Sequence, residues 1–337
     1  DVTDCVQSIT GLLASMMPAE LFLEPCMSTW CMQLVSHISS VPDFRLRFWI
    51  RRSWQPFLTS CPQRLYHIVR ELLHVVCSEL QSRLISRWEA LAQIENAEDQ
   101  DPTKEQLFEE HMACMLTRET VSLLRALFRI HENGSEEKPD EPLCFITKQI
   151  IEDKVVFDGV VALAFQCITF NDTTSVLRAI PICRDVVETV SGRCNENMAV
   201  LMLVRSIQSL QVHGADEVAL GPLLTLIFHV YYSLREGCEN LVRVLQQVPK
   251  CNFEDVDAYD KRIMIMRQNK EVVYEKCKRE MTKNLLRPLI SLQMGMQHRR
   301  PVHLMTKPPL AKAVKPIIED FNLGLLGLHL LLALFLL

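Results

Sequence analysis

Apolar residues recur at steps of three and four along almost the whole chain, and this spacing constrains its fold more than any other feature. In an α-helix such steps bring side chains to one face, whereas a half-buried strand needs strict alternation. Runs of alternation with β-branched residues are missing. With 48% hydrophobic residues in a chain of 337, the apolar faces can form a large core. The sequence therefore predicts an all-α protein.

Prolines and glycines divide this pattern into candidate helices, with prolines at predicted starts and Gly192 and Gly214 at predicted stops. The predicted helices are 2–16, 26–40, 43–59, 63–95, 103–131, 143–170 with a break near Asp153, 173–191, 196–213, 217–248 with a break near Gly237, and 255–287. The acidic segments 95–101 and 132–141 are predicted to be surface loops.

Between residues 143 and 249 the predicted helices come in pairs of similar length. A short Asn-Asp-Thr turn at 171–173 and a Gly-Ala-Asp turn at 214–216 join helices, so that one pair occupies about 40 residues. This period is typical of HEAT repeats, antiparallel helix pairs that stack into a superhelix, or α-solenoid. No repeated consensus accompanies it, and an irregular helical bundle is the alternative. We predict HEAT-like repeats over 1–142 and 143–290, a basic, partly extended tail over 291–320 and an atypical Leu-rich terminus over 321–337.

The charge of the chain is divided unevenly. Its net charge is −5, yet between Lys261 and Lys315 there are 14 Lys and Arg residues and only three Glu residues. A positive excess of this size within a negative chain indicates a surface for a polyanion.

The predicted helix 255–287 places much of this positive charge on one face. Its predicted core face consists of Val256, Tyr259, Ile263, Met266, Val273, Cys277, Met281 and Leu285. Within an arc of about 100° on the opposite side lie six cations, Lys261, Arg262, Lys276, Arg279, Lys283 and Arg287. Together with Arg299 and Arg300 further along, these six are candidate polyanion-binding residues. A solvated helix face is the alternative.

A second candidate mixes cations with aromatic rings. Four arginines alternate there with four aromatic residues, namely Arg45, Arg47, Arg51 and Arg52 with Phe44, Phe48, Trp49 and Trp54. Nucleic-acid-binding proteins use this combination for phosphates and exposed bases. The alternative is a helix whose aromatic residues belong to the core and whose arginines pair with neighbouring acids.

The sequence contains no catalytic motif. A Gly-rich phosphate loop, a nucleophile elbow and a paired-cysteine zinc spacing are all missing, so we expect neither an enzyme nor a metal site. Thirteen cysteines scattered singly favour reduced thiols in the nucleus or cytosol. The chain starts in mid-pattern at Asp1, which predicts a piece of a longer protein without a signal peptide. The Leu-rich segment is short for a membrane span, so we expect no membrane insertion; a docked helix or a foreign tail stays open.

Three stretches resemble a known family. They are MLTRE at 115–119, the run 164–192 with its Asn-Asp-Thr turn, and above all LQVHGADEVALGPLLTLIFHVYYSLREGCENLVRVLQQVP at 210–249. These stretches are similar to the C-terminal part of the exportin-five family, nuclear export receptors of the karyopherin (importin-β) superfamily. The resemblance covers about residues 60–290, and the sequence departs from the family after about Met294.

The resemblance implies a HEAT superhelix that, with the GTPase Ran in its GTP state, encloses double-stranded pre-microRNA hairpins and carries them from nucleus to cytoplasm. It implies no cofactor in this chain, because Ran binds the GTP, and it implies contact with nuclear pore proteins. The principal Ran contact is expected in N-terminal repeats outside this chain. Spaced cations fit this function, since side chains cannot enter the narrow major groove of A-form RNA and contact its backbone instead. A protein-interaction scaffold, or a karyopherin for protein cargo without RNA binding, is the alternative.

Deletion of residues 322–337 should leave the helical content unchanged and improve solubility, because an exposed Leu-rich tail promotes association. Circular dichroism measures the first effect and the monomer fraction in size-exclusion chromatography measures the second. If the shortened protein unfolds, the segment is instead a docked core helix.

Overall fold

A computed structural model describes residues 2–16, 18, 23–97, 103–128, 145–190 and 195–295. Within these ranges the chain is helical and contains no strand, so the predicted all-α class is confirmed. Arg299, Arg300, the predicted loop 132–141 and the segments 296–320 and 321–337 lie outside the described residues.

Most helix boundaries agree with the sequence pattern to within a few residues. The first helices are α1 (Val2–Met16), α2 (Glu24–His37), α3 (Asp43–Trp49), α4 (Gln55–Ser60), α5 (Tyr66–Ala97), α6 (Lys104–Leu127) and α7 (Phe145–Glu152). The remaining helices are α8 (Lys154–Cys167), α9 (Thr173–Val190), α10 (Glu196–His213), α11 (Glu217–Leu234), α12 (Asn240–Gln246), α13 (Phe253–Gln268) and α14 (Glu275–Gly295). Because α5 continues to Ala97, the first three residues of the predicted loop 95–101 are helical instead.

The helices form two layers. One layer contains α2, α5, α8, α10 and α12, and the other contains α1, the α3–α4 segment, α6, α9, α11 and α14. Across the layers α5 packs on α6, α8 on α9 and α10 on α11, and within each layer every helix packs on the equivalent helix of the next pair. Stacking of successive helix pairs in this way is an α-solenoid, as the repeat pattern predicted. Buried side chains link the pairs into one core that extends from Ala14 to Ile290.

Helix α11 is the most apolar part of this core. Together with the turn after it, Glu217–Gly237, it is the one segment of the described residues whose length and hydropathy would suffice to cross a membrane. In this fold it packs against α9, α10 and α14, and large side chains such as Tyr231 and Leu226 are fully buried. The segment is therefore a core helix of the stack.

The predicted break near Asp153 has a clear cause. The Asp153 carboxylate accepts hydrogen bonds from the backbone N–H groups of Val155 at 3.2 Å and Val156 at 3.4 Å, and so caps the start of α8. It also pairs with Arg70 of α5, the helix on which α8 stacks. One carboxylate thus ends a helix, starts the next and ties it to the neighbouring pair.

The prediction of one helix over 255–287 is wrong. Helix α13 ends at Gln268 and α14 begins at Glu275. Lys270 has a positive φ of 50°, and the Glu271 N–H donates to the Met266 carbonyl at 2.9 Å, a Schellman-type helix end. The break was missed because the apolar spacing continues across it and neither glycine nor proline marks it.

The core face predicted for the second half of this helix is correct only in part. Leu285 is buried, Val273 and Met281 are partly buried against the core, and Cys277 is exposed. The residues of α14 that enter the core are Thr282, Leu285, Leu286, Leu289 and Ile290. The helix is therefore rotated relative to the single-helix prediction, because it packs on α10, α11 and α13 together.

A buried ion pair fastens α9 to α6. Arg118 donates to Asp172 through Nη2 at 2.6 Å and through Nε at 2.9 Å, and the side chain of Asp172 is only 5% exposed. Burial alone would raise the pKa of Asp172, but donation by Arg118 and by the Ser175 hydroxyl lowers it below its usual value. The same carboxylate accepts the Ser175 N–H in the first turn of α9, as the predicted helix start at 171–173 requires.

Substitution of Arg118→Met should destabilise the protein by about 3 kcal/mol, because it leaves the Asp172 carboxylate buried without its partner. The matched change Arg262→Met removes an exposed pair with Glu271 and should cost less than about 1 kcal/mol. Urea unfolding followed by circular dichroism measures both changes, and Arg118→Met with Asp172→Asn should recover part of the loss.

The stability that Arg118→Met loses should depend on pH. Because the folded-state pKa of Asp172 is lowered, its contribution is complete above the unfolded pKa of about 4 and is lost as the pH falls through the folded value. In Arg118→Met both contributions of Arg118 are lost, and burial, which raises that pKa, is opposed only by the Ser175 hydrogen bonds. The stability difference between the two proteins should therefore be largest near neutral pH and narrow as the pH is lowered through about 4. A difference that does not change with pH would contradict the assignment.

Candidate nucleic-acid interface

Helix α14 presents three cations on one side, outside its core residues. Lys276, Lys283 and Arg287 are spaced by seven and four residues, which keeps them on one side of the helix, and all three are exposed. We call these three residues the α14 cationic face. Because Thr282 and Leu286 occupy the core side of the same turns, the cations cannot turn inward.

The charge of this face is largely unneutralised. No ion pair or side-chain hydrogen bond joins Lys276 or Lys283 to another described residue. Arg287 donates to the neutral Asn284 side chain at 2.8 Å and keeps its charge available. Glu280 lies on the same side of the helix and reduces the positive potential in part. The face therefore carries a net positive charge in contact with solvent.

Arg279 differs from its neighbours. Its Nε donates to the Thr225 hydroxyl of α11 at 3.1 Å, and its guanidinium lies over Gly221, where an added Cβ would be 3.5 Å from Nη1. The guanidinium thus fastens α14 to α11, and it lies at the margin of the cationic face. Sequence spacing grouped Arg279 with the other five cations because spacing gives no information on the partner helix.

Helix α13 contributes less positive surface charge than the sequence predicted. Lys261 points away from the core, but Glu254 and Asp257 share its side of the helix and are equally exposed. Arg262 pairs with Glu271 at 3.0 Å. The break between α13 and α14 therefore divides the six predicted cations into two groups. The group on α13 lies among acidic residues, and the group on α14 forms a more strongly basic surface.

One cation near α14 was missed by the sequence analysis. Lys278 and, more weakly, Arg184 of α9 lower the pKa of Glu275, which places Arg184 beside the first turn of α14. Arg184 is exposed on α9, and Glu188 one turn away on the same helix is also exposed. An isolated arginine in an apolar helix gives no sequence signal of this kind, since only the stacking of α9, α11 and α14 brings it there.

The arginine and aromatic candidate near residue 50 separates into core and surface parts. Trp49 and Trp54 are buried, whereas Phe44 is 58% and Phe48 37% exposed. Helix α3 continues through one π-helical turn, Ile50–Trp54, into α4. The alternative, in which the aromatic residues belong to the core, thus holds for the tryptophans and fails for the phenylalanines.

The four arginines of this candidate have different environments. Arg45 lies 3.9 Å from Asp4 and Arg51 lies 4.0 Å from Glu119, both long contacts between partly exposed groups. Arg47 is half-buried against Met112, and burial lowers its pKa, while nearby Glu119 acts in the opposite direction. Arg52 is exposed. Arg51 and Arg52 are therefore the cations of this group that a ligand could reach.

A further aromatic residue joins this surface. Arg87 bonds Asp43 at 2.9 Å and Glu109 at 3.2 Å, which brings their neighbours Phe44 and Phe108 to one junction between α3 and α6. Phe108 is 60% exposed. The structure does not bring this surface and the α14 cationic face together, because α6, α9 and α11 lie between α3 and α14 in the same layer.

No group of three or more His, Cys, Asp and Glu residues within the described part of the chain is arranged to hold a metal ion. The buried thiols are also unreactive: burial raises the pKa of Cys31, Cys61, Cys77 and Cys114 to about 12. The buried thiols therefore serve in packing.

Comparison with known proteins identifies relatives of this fold. Residues 2–301 match the Exportin-5 family. Human Exportin-5 is 24% identical and mouse Exportin-5 is 26% identical over 312 aligned residues. Each alignment covers 84% of this chain and 26% of the relative, so the chain spans about a quarter of the length of the curated relatives it matches. Because the family match covers nearly all of the helical solenoid, the chain belongs to the Exportin-5 family.

Proposed function

We propose that this chain is part of a Ran-GTP-dependent nuclear export receptor that binds structured double-stranded RNA, such as pre-microRNA hairpins, through backbone contacts. The relatives are named exportins, which supports a transport receptor over an enzyme. Shuttling between nucleus and cytoplasm, contact with nuclear pore proteins and a principal Ran contact outside this chain belong to the same proposal. GTP is then bound by Ran and this chain needs no cofactor.

The α14 cationic face is the observation that carries the RNA part of the proposal. Lys276 and Arg287 lie eleven residues apart on one helix, a distance of about 16 Å at a rise of 1.5 Å per residue. Cations spread over such a length can contact several phosphates, and each contact releases counterions from the RNA. Arg184 adds a cation from α9, within electrostatic range of the first turn of α14.

The side chains of this face suit contact with the backbone better than recognition of bases. Lysine is a flexible point charge, and the planar arginine fork can grip a phosphate. Phosphate contacts carry no sequence information by themselves, and side chains cannot reach the bases of A-form RNA through its major groove. A receptor with this surface should accept hairpins of unrelated sequence. A protein-interaction scaffold would leave the same cations solvated.

The triple variant Lys276→Gln, Lys283→Gln, Arg287→Gln should bind RNA hairpins more weakly, because it removes three charges that meet phosphates. The slope of log affinity against log salt should become less steep by about two to three units, given about 0.9 per duplex contact. Fluorescence anisotropy with two labelled hairpins of unrelated sequence across a salt series measures the change, and both hairpins should be affected equally.

A second triple variant provides the control. Lys104→Gln, Lys148→Gln and Lys154→Gln change the net charge by the same amount at exposed lysines outside α13 and α14, so its slope should resemble that of the wild type. The melting temperatures of all three proteins should agree within a few degrees, since exposed charges contribute little to stability. An unchanged slope for the α14 variant would favour the scaffold.

A further inference from the structure

We propose that Tyr274 is a phosphorylation site for a tyrosine kinase and that its phosphate group weakens RNA binding by the adjacent α14 cationic face. The effect on RNA rests on the proposed function. The site itself rests only on the exposure and the backbone of the segment between α13 and α14.

Accessibility separates Tyr274 from the other tyrosines. The chain has five tyrosines, and the structure describes all of them. Tyr274 is 80% exposed. Tyr231 and Tyr259 are buried, and Tyr66 and Tyr232 are half-buried. A kinase approaching the folded protein therefore meets one freely exposed phenol.

The hydroxyl groups of three other tyrosines form hydrogen bonds within the fold. The Tyr231 hydroxyl donates to Asp260 at 2.7 Å, and the Tyr259 hydroxyl lies 3.2 Å from that of Thr282. The Tyr66 hydroxyl donates to the Gln149 carbonyl at 3.4 Å. Phosphorylation at these positions would require a helix to leave the stack.

The fourth, Tyr232, is held by its ring. It stacks on Phe228 with the ring centroids 5.6 Å apart, and the Arg267 guanidinium lies over it at 5.4 Å from the centroid. Arg267 also donates to the Tyr232 carbonyl. The ring is therefore fixed between two helices, α11 and α13.

The backbone around Tyr274 is presented in a form that a kinase can bind. Residues 271–274 are neither helical nor in a turn, and Val272 is 88% exposed. The segment is anchored at its start, where Glu271 pairs with Arg262 at 3.0 Å and its N–H donates to the Met266 carbonyl. At its end, the Tyr274 carbonyl accepts the Lys278 N–H of α14 at 3.1 Å. A short non-helical stretch is thus held at both ends and by the partly buried Val273, while the side chains of Val272 and Tyr274 are in solvent.

The modification is an ordinary phosphoryl transfer from ATP. The phenolic oxygen of Tyr274 attacks the γ-phosphorus, the bond from that phosphorus to the bridging oxygen breaks, and ADP leaves. The phenolic proton passes to the catalytic base of the kinase. The product carries about −1.5 to −2 additional charge at neutral pH.

The new charge would lie beside Lys276, the first cation of the α14 cationic face. Lys276 and Lys278 follow Tyr274 within one helical turn, and Lys278 already pairs with Glu275 at 2.6 Å. A phosphate group there would attract Lys276, compete with Glu275 for Lys278 and repel the phosphates of RNA. Its charge is comparable to that of two cations, so it would offset the charge of Lys276 and lower the net positive charge at the start of the α14 cationic face.

The first test is selectivity of labelling. The folded wild-type chain is incubated with ATP and a broad-specificity tyrosine kinase, and intact mass with peptide mapping locates the phosphate. One phosphate at Tyr274 is expected, none is expected in Tyr274→Phe, and Tyr232→Phe should be labelled like the wild type. If Tyr274 is not labelled, or if another tyrosine of the folded protein is labelled faster, Tyr274 is not the preferred phosphorylation site and the proposal is wrong.

The second test measures RNA binding of the phosphorylated protein. Its slope of log affinity against log salt should be less steep than that of the unmodified protein by about one to two units. Tyr274→Phe should bind like the wild type, and phosphorylation of the Lys276, Lys283 and Arg287 triple variant should change its binding little. Equal RNA affinity before and after complete phosphorylation would overturn the inhibitory effect. Lack of RNA binding by the unmodified protein would instead overturn the proposed function, and the labelling result would still decide the site.

Discussion

Each helix pair in this solenoid can bury its apolar face only against the pairs before and after it. The core is therefore a row of similar interfaces, and the polar groups at the helix starts must be satisfied at the same interfaces. Asp153 and Asp172 meet that requirement by capping their own helix and pairing with an arginine of the preceding pair. A hydrogen bond also links the starts of α9 and α11, where the Thr173 hydroxyl donates to the Asp216 carboxylate at 2.7 Å.

Stacking also decides which side chains remain for binding. A helix in the row contacts its partner and two neighbours, so only its outward face is free. On α14 that face carries Lys276, Lys283 and Arg287, while Arg279 at its margin is used for contact with α11. On α3 the outward face carries Phe44 and Phe48 instead. The two surfaces are separated by three helices and can act independently.

The helical class and most helix boundaries could be predicted, because amphipathic spacing and capping residues are local properties of the sequence. Local spacing was also the source of the main error: Met266 and Val273 are seven residues apart, so the apolar pattern continued through a break that Lys270 and Glu271 produce. The surface was predicted only in part. Lys276 and Lys283 were found from helical spacing, but the roles of Arg279 and Arg184 depend on the neighbouring helices and have no local signal.

The position of α11 has a consequence for synthesis of the chain. Its neighbours α9 and α10 precede it, but the helix that covers its other side, α14, follows it. During translation the most apolar helix of the described chain therefore leaves the ribosome before its last neighbour exists. Until Glu275 and the residues after it have emerged, one side of α11 is an exposed apolar surface that can associate with other nascent chains. The order of helices along the sequence thus creates a period in which the growing solenoid is prone to association through this helix.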